Sequence, residues 1–393
     1  MERIGIFGGS FDPPHIGHIQ AAKAAVRALR LDRLLMMPAF QPPHKTLSAN
    51  APTPLQRLQM LRLACEEDAL LQVSDLELSR GGISYTYETM EAVRQMYPEA
   101  ELFLLMGSDM FLSFHNWKEP EKILANATVA VFYRGDRGEQ GKVETQKAAL
   151  EATGCKVHLI EHDVVDISSS QLRRLLAFGC IDAFLPQGVG DYIRANGLYN
   201  TAAAWKNLPE EDLERVVVGL LKPSRVAHVL GCRDAAVDLA KRWGADVCDA
   251  ARAALLHDVT KALDGPLQLT LCDSYGRVLD DFSLRYPKTL HALTGSLVAQ
   301  RIFGENEAVV AAIESHTTGK AAMNLLEKII YVADYMEPNR DFPGVEELRQ
   351  LAYSDMDAAL ERGIRMTLAH LARQGAEVSP ASLAALEYLH AKV

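Results

Sequence analysis

Arg3-Ile4-Gly5-Ile6-Phe7, running directly into Gly8-Gly9-Ser10-Phe11-Asp12-Pro13-Pro14-His15-Ile16-Gly17-His18, decides how the first half of the chain reads. A short apolar run stops at two glycines, and an amphipathic stretch, His18–Arg30, opens where the turn closes. Period-2 residues feeding 3.6-residue periodicity across a glycine-rich turn predict a strand followed by a helix. Gly8 and Gly9 let backbone approach a ligand and can take positive φ. Together with Ser10 and the free amides of the helix start they make a candidate phosphate site. Gly17 lets a nucleotide lie flat against the main chain. His15 and His18 sit three apart, so both imidazoles can face one pocket. Two imidazoles aimed at a triphosphate suit cleavage between the α and β phosphates, where charge builds on the bridging oxygen.

Outward from that loop the same rhythm repeats. Apolar runs at Arg3–Phe7, Arg33–Met37, Leu71–Ser74, Glu101–Met106, Thr128–Tyr133 and Lys156–Ile160 alternate with helical patterns such as Pro54–Glu66 and Tyr87–Tyr97. Such alternation predicts a Rossmann-like α/β domain, a parallel sheet with helices on both faces and its ligand at the carboxyl ends of the strands. After about Leu198 the rhythm changes. Gly197–Asp212 reads as a linker, and beyond it helical periodicity alone fits: Pro209–Leu220, Arg225–Trp243, Asp246–Leu263, Leu290–Phe303, Glu307–His316, Asn324–Met336 and Gly344–Gln374. The second half is therefore expected to be an all-α bundle. The expected boundaries are 1–200, a linker at 201–210, and 211–393.

Composition narrows the function classes. At 393 residues, with 48% hydrophobic and 23% charged residues, the chain has the makeup of an ordinary globular protein. A net charge of −10 argues against a general affinity for nucleic acid or anionic membrane. Six cysteines without a Cys-x-x-Cys pair point to a reducing compartment. The opening MERIGIFGG reads as a buried strand rather than a leader, and no apolar run reaches about 18 residues. A cytoplasmic location is the expectation, with homo-oligomerisation left open.

With its glycine-histidine loop, the chain resembles the nucleotidyltransferase superfamily, whose signature is (T/H)-x-G-H. A second run, Ile167-Ser168-Ser169-Ser170-Gln171-Leu172-Arg173, is similar to that superfamily's I-S-S-T-x-I-R, with Ser170 for threonine and Leu172 for isoleucine. Ser168, Ser169 and Ser170 offer an N-cap with amides and hydroxyls, and Arg173 adds a cation one turn on. That pairing suits β- and γ-phosphates. Pro42-Pro43-His44-Lys45, Ser84-Tyr85-Thr86-Tyr87-Glu88-Thr89, Met106-Gly107-Ser108-Asp109 and Asn116-Trp117-Lys118 resemble the bacterial nicotinate mononucleotide adenylyltransferases, over residues 1 to about 200. On that resemblance Trp117 would stack on the pyridine ring, Thr86 read its carboxylate, His44 and Lys45 meet the 5′-phosphate, and Asp109 accept from a ribose hydroxyl. Taken singly, Trp117 reads equally as core and His44-Lys45 as a solvated loop. Mg²⁺ would arrive with ATP, and the acceptor phosphate would itself be the nucleophile.

The second half holds a different constellation. His257-Asp258 falls in a helical run, unlike the second such pair, His162-Asp163, at a strand exit; His228, His291, His316 and Asp334 lie on or at the ends of helices of their own. This set resembles the HD-domain phosphohydrolases, with His291 and His316 marking a dinuclear subset. The text Ser224-Arg225…His228, His257-Asp258-Val259-Thr260-Lys261, His316-Thr317-Thr318-Gly319 and Asp334-Tyr335…Glu337-Pro338…Arg340 is similar to the YqeK-like symmetrical diadenosine tetraphosphate hydrolases; His291-Ala292-Leu293-Thr294-Gly295 departs from the pattern. The resemblance implies two transition-metal ions, Fe, Mn, Co or Zn, held by those six residues, with Asp258 bridging. Lys261, four beyond His257 on the same helical face, would neutralise the phosphate chain.

The expectation is a bifunctional enzyme taking ATP, nicotinate mononucleotide and diadenosine tetraphosphate. Two rivals stand beside it: transfer to pantetheine phosphate or a sugar phosphate by the first half, and a second half that acts on another nucleotide or only senses one.

Overall fold

Leu34 and Met36 bury on one side of their strand, Leu35 and Met37 on the other; Phe103 and Leu105 likewise face away from Leu102, Leu104 and Met106. Successive strand side chains point to opposite faces, so a strand covered on both sides must be apolar throughout. That is why these stretches read as unbroken apolar runs. In the computed structural model, which describes residues 1–43, 51–133, 137–161 and 167–391, they form one sheet. Its strands are β1 Arg3–Gly9, β2 Arg33–Pro38, β3 Leu71–Val73, β4 Glu101–Gly107, β5 Thr128–Tyr133 and β6 Val157–Glu161. The order is β3-β2-β1-β4-β5-β6, every pair parallel.

Ala22, Ala25 and Leu29 of the helix Ile16–Leu29 cover one face; Met90 and Val93 of the helix Thr86–Met96 cover the other. Gly5 leaves room for side chains of the neighbouring strand and the turn before it: a Cβ there would stand 2.5 Å from Leu34 Cδ1 and 2.6 Å from Leu31 Cδ1. The chain winds from β1 outward through β2 to β3, then returns to β4 beside β1. The order therefore reverses between β1 and β4. Side by side at that switch point lie the carboxyl ends Gly8-Gly9 and Gly107. A crevice at a reversal of this kind is where open α/β sheets take ligands.

By contact the chain divides into two compact units: 1–177 with 181–202, and 178–180 with 203–393. The second unit is all-helical among the described residues. Its central helix, Leu325–Met336, buries Leu326, Ile329, Ile330, Val332 and Ala333, nearly its whole circumference. A helix buried on nearly every side must be enclosed, and this one packs on Pro223–Trp243, Glu307–Ser315 and Met356–Gln374. The α/β and all-α expectations both hold.

Three helical expectations are corrected. The run Asp246–Leu263 ends as a helix at Leu256, where Val259 N bonds to Leu256 O and Lys261 N to Asp258 O in successive tight turns. Gly344–Gln374 is two helices, Val345–Ser354 and Met356–Gln374, parted by an extended Asp355 whose side chain accepts from Ala358 N. Leu290–Phe303 is α-helical over His291–Val298 and π-helical over Ala299–Phe303. Helices at Gly265–Ser274, Asp281–Arg285 and Pro380–His390 carry too little periodic signal to be anticipated. No described helix is long and apolar enough to cross a membrane.

Candidate active sites

At the switch point of the first unit a cleft of about 560 Å³ is lined by Gly8, Gly9, Ser10, His18, Thr86 and Trp117 among others. Six of the residues singled out from the sequence thus share one cavity. Thr86 begins its helix, so free amides open beside the cleft. Trp117 is half-buried, its ring 5.3 Å from that of Phe114. His44 and Lys45 lie outside the described residues, as do His162 and Asp163.

The glycines do one of the two things the sequence suggested. Gly8 and Gly9 belong to β1, and neither has positive φ; Phe11 takes the left-handed conformation, at φ 43°. What Gly8 contributes is space, since a Cβ there would meet nothing within 4 Å. Its lack of a side chain leaves backbone bare at the cleft.

His15 and His18 lie against each other, ring centroids 3.7 Å apart and planes tilted by 37°, but only His18 lines the cleft. His15 caps the helix, its backbone N–H donating to His18 Nδ1 at 3.2 Å. Its own Nδ1 is buried without a hydrogen-bond partner, and burial pulls its pKa from 6.5 down to about 4. Gly17 is buried in the first turn behind it.

Arg173, on the helix Ser169–Ala177, reaches back across the sheet. It donates to Asp12 O at 2.7 Å and lies 3.3 Å from Asp12 Oδ2. The two motifs therefore meet. Ser168 Oγ accepts from Gln171 N, and Ser168 and Ser170 are exposed at the helix start. Asp109, exposed at the start of Ser108–Leu112, does not line the cleft with the others.

Several residues here had been given no role. Tyr199 donates to Asp12 Oδ1 at 2.8 Å, and burial raises its pKa. Arg57, 0% exposed, donates to Ser10 O at 2.8 Å and Phe40 O at 3.0 Å, tying the loop after β1 to the segment after β2. Asp12 was visible within the first motif. Arg57, in an ordinary amphipathic helix, gave no signal.

In the second unit His228, His257, Asp258, His291, His316 and Asp334 converge. His228 Nε2 stands 3.1 Å from Asp334 Oδ1 and 3.8 Å from Asp258 Oδ2; His257 Nε2 is 3.6 Å from that same oxygen. His291 Nε2 and His316 Nε2 approach the other oxygen, Oδ1, at 3.5 and 4.0 Å. Asp258, 1% exposed, thus stands between two pairs of imidazoles, one pair per oxygen. His228-His257-Asp334 and His257-Asp258-His316 are each spaced to hold a metal ion.

All four imidazoles have acceptors on the Nδ1 side, which makes Nδ1 the donor and Nε2 the inward lone pair. The Nε2 atoms of His228 and His257 are buried without hydrogen-bond partners, an arrangement that costs stability unless a Lewis acid meets them. Burial, with the neighbouring charge of His316, drives the pKa of His257 well down; burial and Lys261 do the same for His291. His316 falls to about 4 through burial. Although burial opposes it, the His228 ring 3.1 Å away, the neighbouring imidazoles and Arg340 hold Asp334 well below the usual carboxylate range. Neutral imidazoles beside ionised carboxylates are what a divalent cation requires. The donor set fits.

Lys261 stands elsewhere than expected. With the helix finished at Leu256, it arrives from a turn and puts Nζ 2.8 Å from His291 Nε2. Two cations without an assigned role join it: Arg225 pairs with Asp258, and Arg340 Nη2 donates to Asp334 Oδ1 at 2.7 Å. Burial lowers the Lys261 pKa to about 8.

A cytidylyltransferase-like family model matches residues 6–175, and an HD domain model matches residues 225–339. A probable nicotinate-nucleotide adenylyltransferase of Gemmatimonas aurantiaca is 37% identical over 198 residues, half of this chain and 92% of that protein. A similarly described protein of Borreliella burgdorferi is 34% identical, over 50% of this chain and 96% of its own. Among solved structures, an HD superfamily hydrolase of Clostridium acetobutylicum, described as involved in NAD metabolism, is 36% identical; the match covers 47% of this chain and 99% of that one, with a TM-score of 0.46.

Proposed function

Because the chain belongs, through its first half, to the nicotinate-nucleotide adenylyltransferase family, we propose that this half transfers AMP from ATP to nicotinate mononucleotide and releases pyrophosphate. The chain joins a nucleotidyltransferase domain to a metal-dependent HD-superfamily phosphohydrolase domain. The observation that carries the first assignment is one cavity at the switch point shared by His18, Thr86 and Trp117. ATP lies along the bare backbone of Gly8 and Gly9, with Ser168–Ser170 and Arg173 meeting its outer phosphates. His18 faces the α-phosphate, where charge builds as the acceptor phosphate attacks. Mg²⁺ accompanies ATP and spreads the phosphate charge. Trp117 holds the pyridine ring, Thr86 its carboxylate and Asp109 a ribose hydroxyl. The test is incubation of the full chain with ATP and a panel of nicotinate, nicotinamide and pantetheine phosphates, products identified by mass. Equal rates with pantetheine phosphate would sink the assignment.

The second half, on our reading, hydrolyses diadenosine tetraphosphate to two ADP. Its support is the convergence of four inward Nε2 atoms on the two oxygens of Asp258. A pair of transition-metal ions, when bound, activates water and offsets charge at the attacked phosphorus. Around them Arg225, Lys261 and Arg340 supply three cations on the carboxylates and imidazoles themselves, where a polyphosphate chain would take over their contacts. In ¹⁸O-labelled water, symmetrical attack puts label in one of each two ADP molecules. Production of AMP and ATP, or cleavage only of mononucleotides, would remove this substrate. Binding of a nucleotide without cleavage in the presence of Fe, Mn, Co or Zn would favour a sensing role.

A further inference from the structure

Three of the four clustered imidazoles are oriented in one way. His257, His291 and His316 each direct Nδ1 at the carbonyl three residues earlier, on Ala254 at 2.6 Å, Lys288 at 2.9 Å and Ile313 at 2.6 Å. These are local bonds, available to almost any residue at the end of a helical turn. His228 differs. Its Nδ1–H donates at 3.1 Å to Glu337 Oε1, a carboxylate 1% exposed that comes from a different element.

That carboxylate is held with care. Glu337 Oε2 accepts from Asn339 N at 2.7 Å and from Asn339 Nδ2 at 2.9 Å. The same Asn339 amide donates to Ala227 O, the carbonyl just before His228, at 3.1 Å. Arg349 donates to the carbonyls of Met336, Glu337 and Arg340, fixing the backbone on either side. Space for the group is made by Gly231, one turn beyond His228: a Cβ there would stand 2.5 Å from Glu337 Oε2 and 2.9 Å from Asn339 Nδ2. The helix Pro223–Trp243 is thus without a side chain at the one place where the carboxylate must reach the imidazole.

An acceptor-only carboxylate makes Nδ1 the proton-bearing nitrogen, turns the Nε2 lone pair inward and makes it more basic than a carbonyl partner would. We propose that Glu337 is the positioning residue for the metal position formed by His228, His257 and Asp334, and that its charge makes this position the tighter of the two. Asp334, three residues before Glu337, belongs to the same position. One short segment thereby supplies a metal ligand and orients another. The position built on His291 and His316 has only carbonyl support and binds more weakly.

This rests on the reading of the cluster as a two-metal site, and the experiment separates the two. The full chain, stripped with chelator, is titrated with Co²⁺ while visible absorption and total bound metal are followed. Wild-type protein takes up two ions in two resolved steps. Glu337→Gln keeps the shape and removes the charge; it weakens one step by about 10- to 100-fold and leaves the other within about threefold. Gly231→Ala, whose methyl pushes the carboxylate aside while leaving its charge in place, moves the same step in the same direction. Wild-type binding with two ions and a Glu337→Gln curve superposed on it would overturn the inference while leaving the two-metal reading intact. Equal weakening of both steps with a lower metal-free melting temperature would make Glu337 a structural residue and overturn it too. Wild-type protein that takes up no Co²⁺ would overturn both.

Discussion

His15 and His18 share a motif but not an environment. Buried beside His18 and depressed to a pKa of about 4, His15 is an uncharged imidazole near neutrality at the N-cap of its helix. The sign of its linkage is fixed: the unfolded chain takes a proton at this imidazole near pH 6.5, the folded one only near 4. Its contribution is complete above about pH 6.5 and is lost as pH falls toward 4. The difference corresponds to about 3 kcal/mol by pH 4, so His15→Gln should flatten the loss of urea stability between pH 6.5 and 4. An unchanged slope would place the titration elsewhere. His18 lines the cleft, and His18→Ala should lower dinucleotide turnover by about a hundredfold with little change in mononucleotide KM. Trp117→Ala should do the opposite, and swapped phenotypes would contradict both roles. At this scale the sequence revealed residues better than partners. Motif positions announce themselves by type and spacing, whereas Arg57 is recognisable only once Ser10 O and Phe40 O are seen at its guanidinium.

Strands were more legible than helix ends, and the physical reason is visible in the elements themselves. The four inner strands, buried on both faces, are almost uniformly apolar, the edge strands β3 and β6 keep apolar residues on one side, and polarity bounds each run, so all six appeared within about two residues of their positions. A helix end is decided by one or two caps, which apolar periodicity does not register. Val345–Ser354 and Met356–Gln374 keep nearly the same apolar rhythm across their junction, and only Asp355, extended and bonded to Ala358 N at 3.0 Å, separates them. Likewise Leu256 ends its helix so that His257 and Asp258 point into one site from a turn, a geometry adjacent helical residues 100° apart would not reach. Asp355→Ala should therefore cost about 1 kcal/mol, measured as a lowered melting midpoint of the second unit, while Asp355→Asn, which keeps an acceptor, should recover most of it. Equal losses in the two variants would assign the effect to charge rather than to the cap.

At the scale of the whole molecule the two units carry separate chemistry, and metal should reveal that separation. The first unit's cleft is lined by apolar side chains, hydroxyls, His18 and Trp117, with no described His-Asp group spaced for a metal. In the second, His228 and His257 present buried, unpartnered Nε2 atoms, and four imidazoles crowd around Asp258 and Asp334. A cation that binds only the folded form stabilises it by mass action, by about 4 kcal/mol when present at a thousand times its dissociation constant. For a unit of this size that is a shift of about 10 °C in melting temperature. The full chain should accordingly melt in two calorimetric transitions, of which chelation lowers one and leaves the other in place. Asp258→Ala removes the group standing between both imidazole pairs; it should lower that same transition, abolish its response to added Mn²⁺ and end tetraphosphate cleavage. Dinucleotide synthesis should proceed at the wild-type rate. If both transitions fell together on chelation, or if synthesis fell with Asp258→Ala, the units would be energetically one body and the separation drawn from their contacts would not extend to their function.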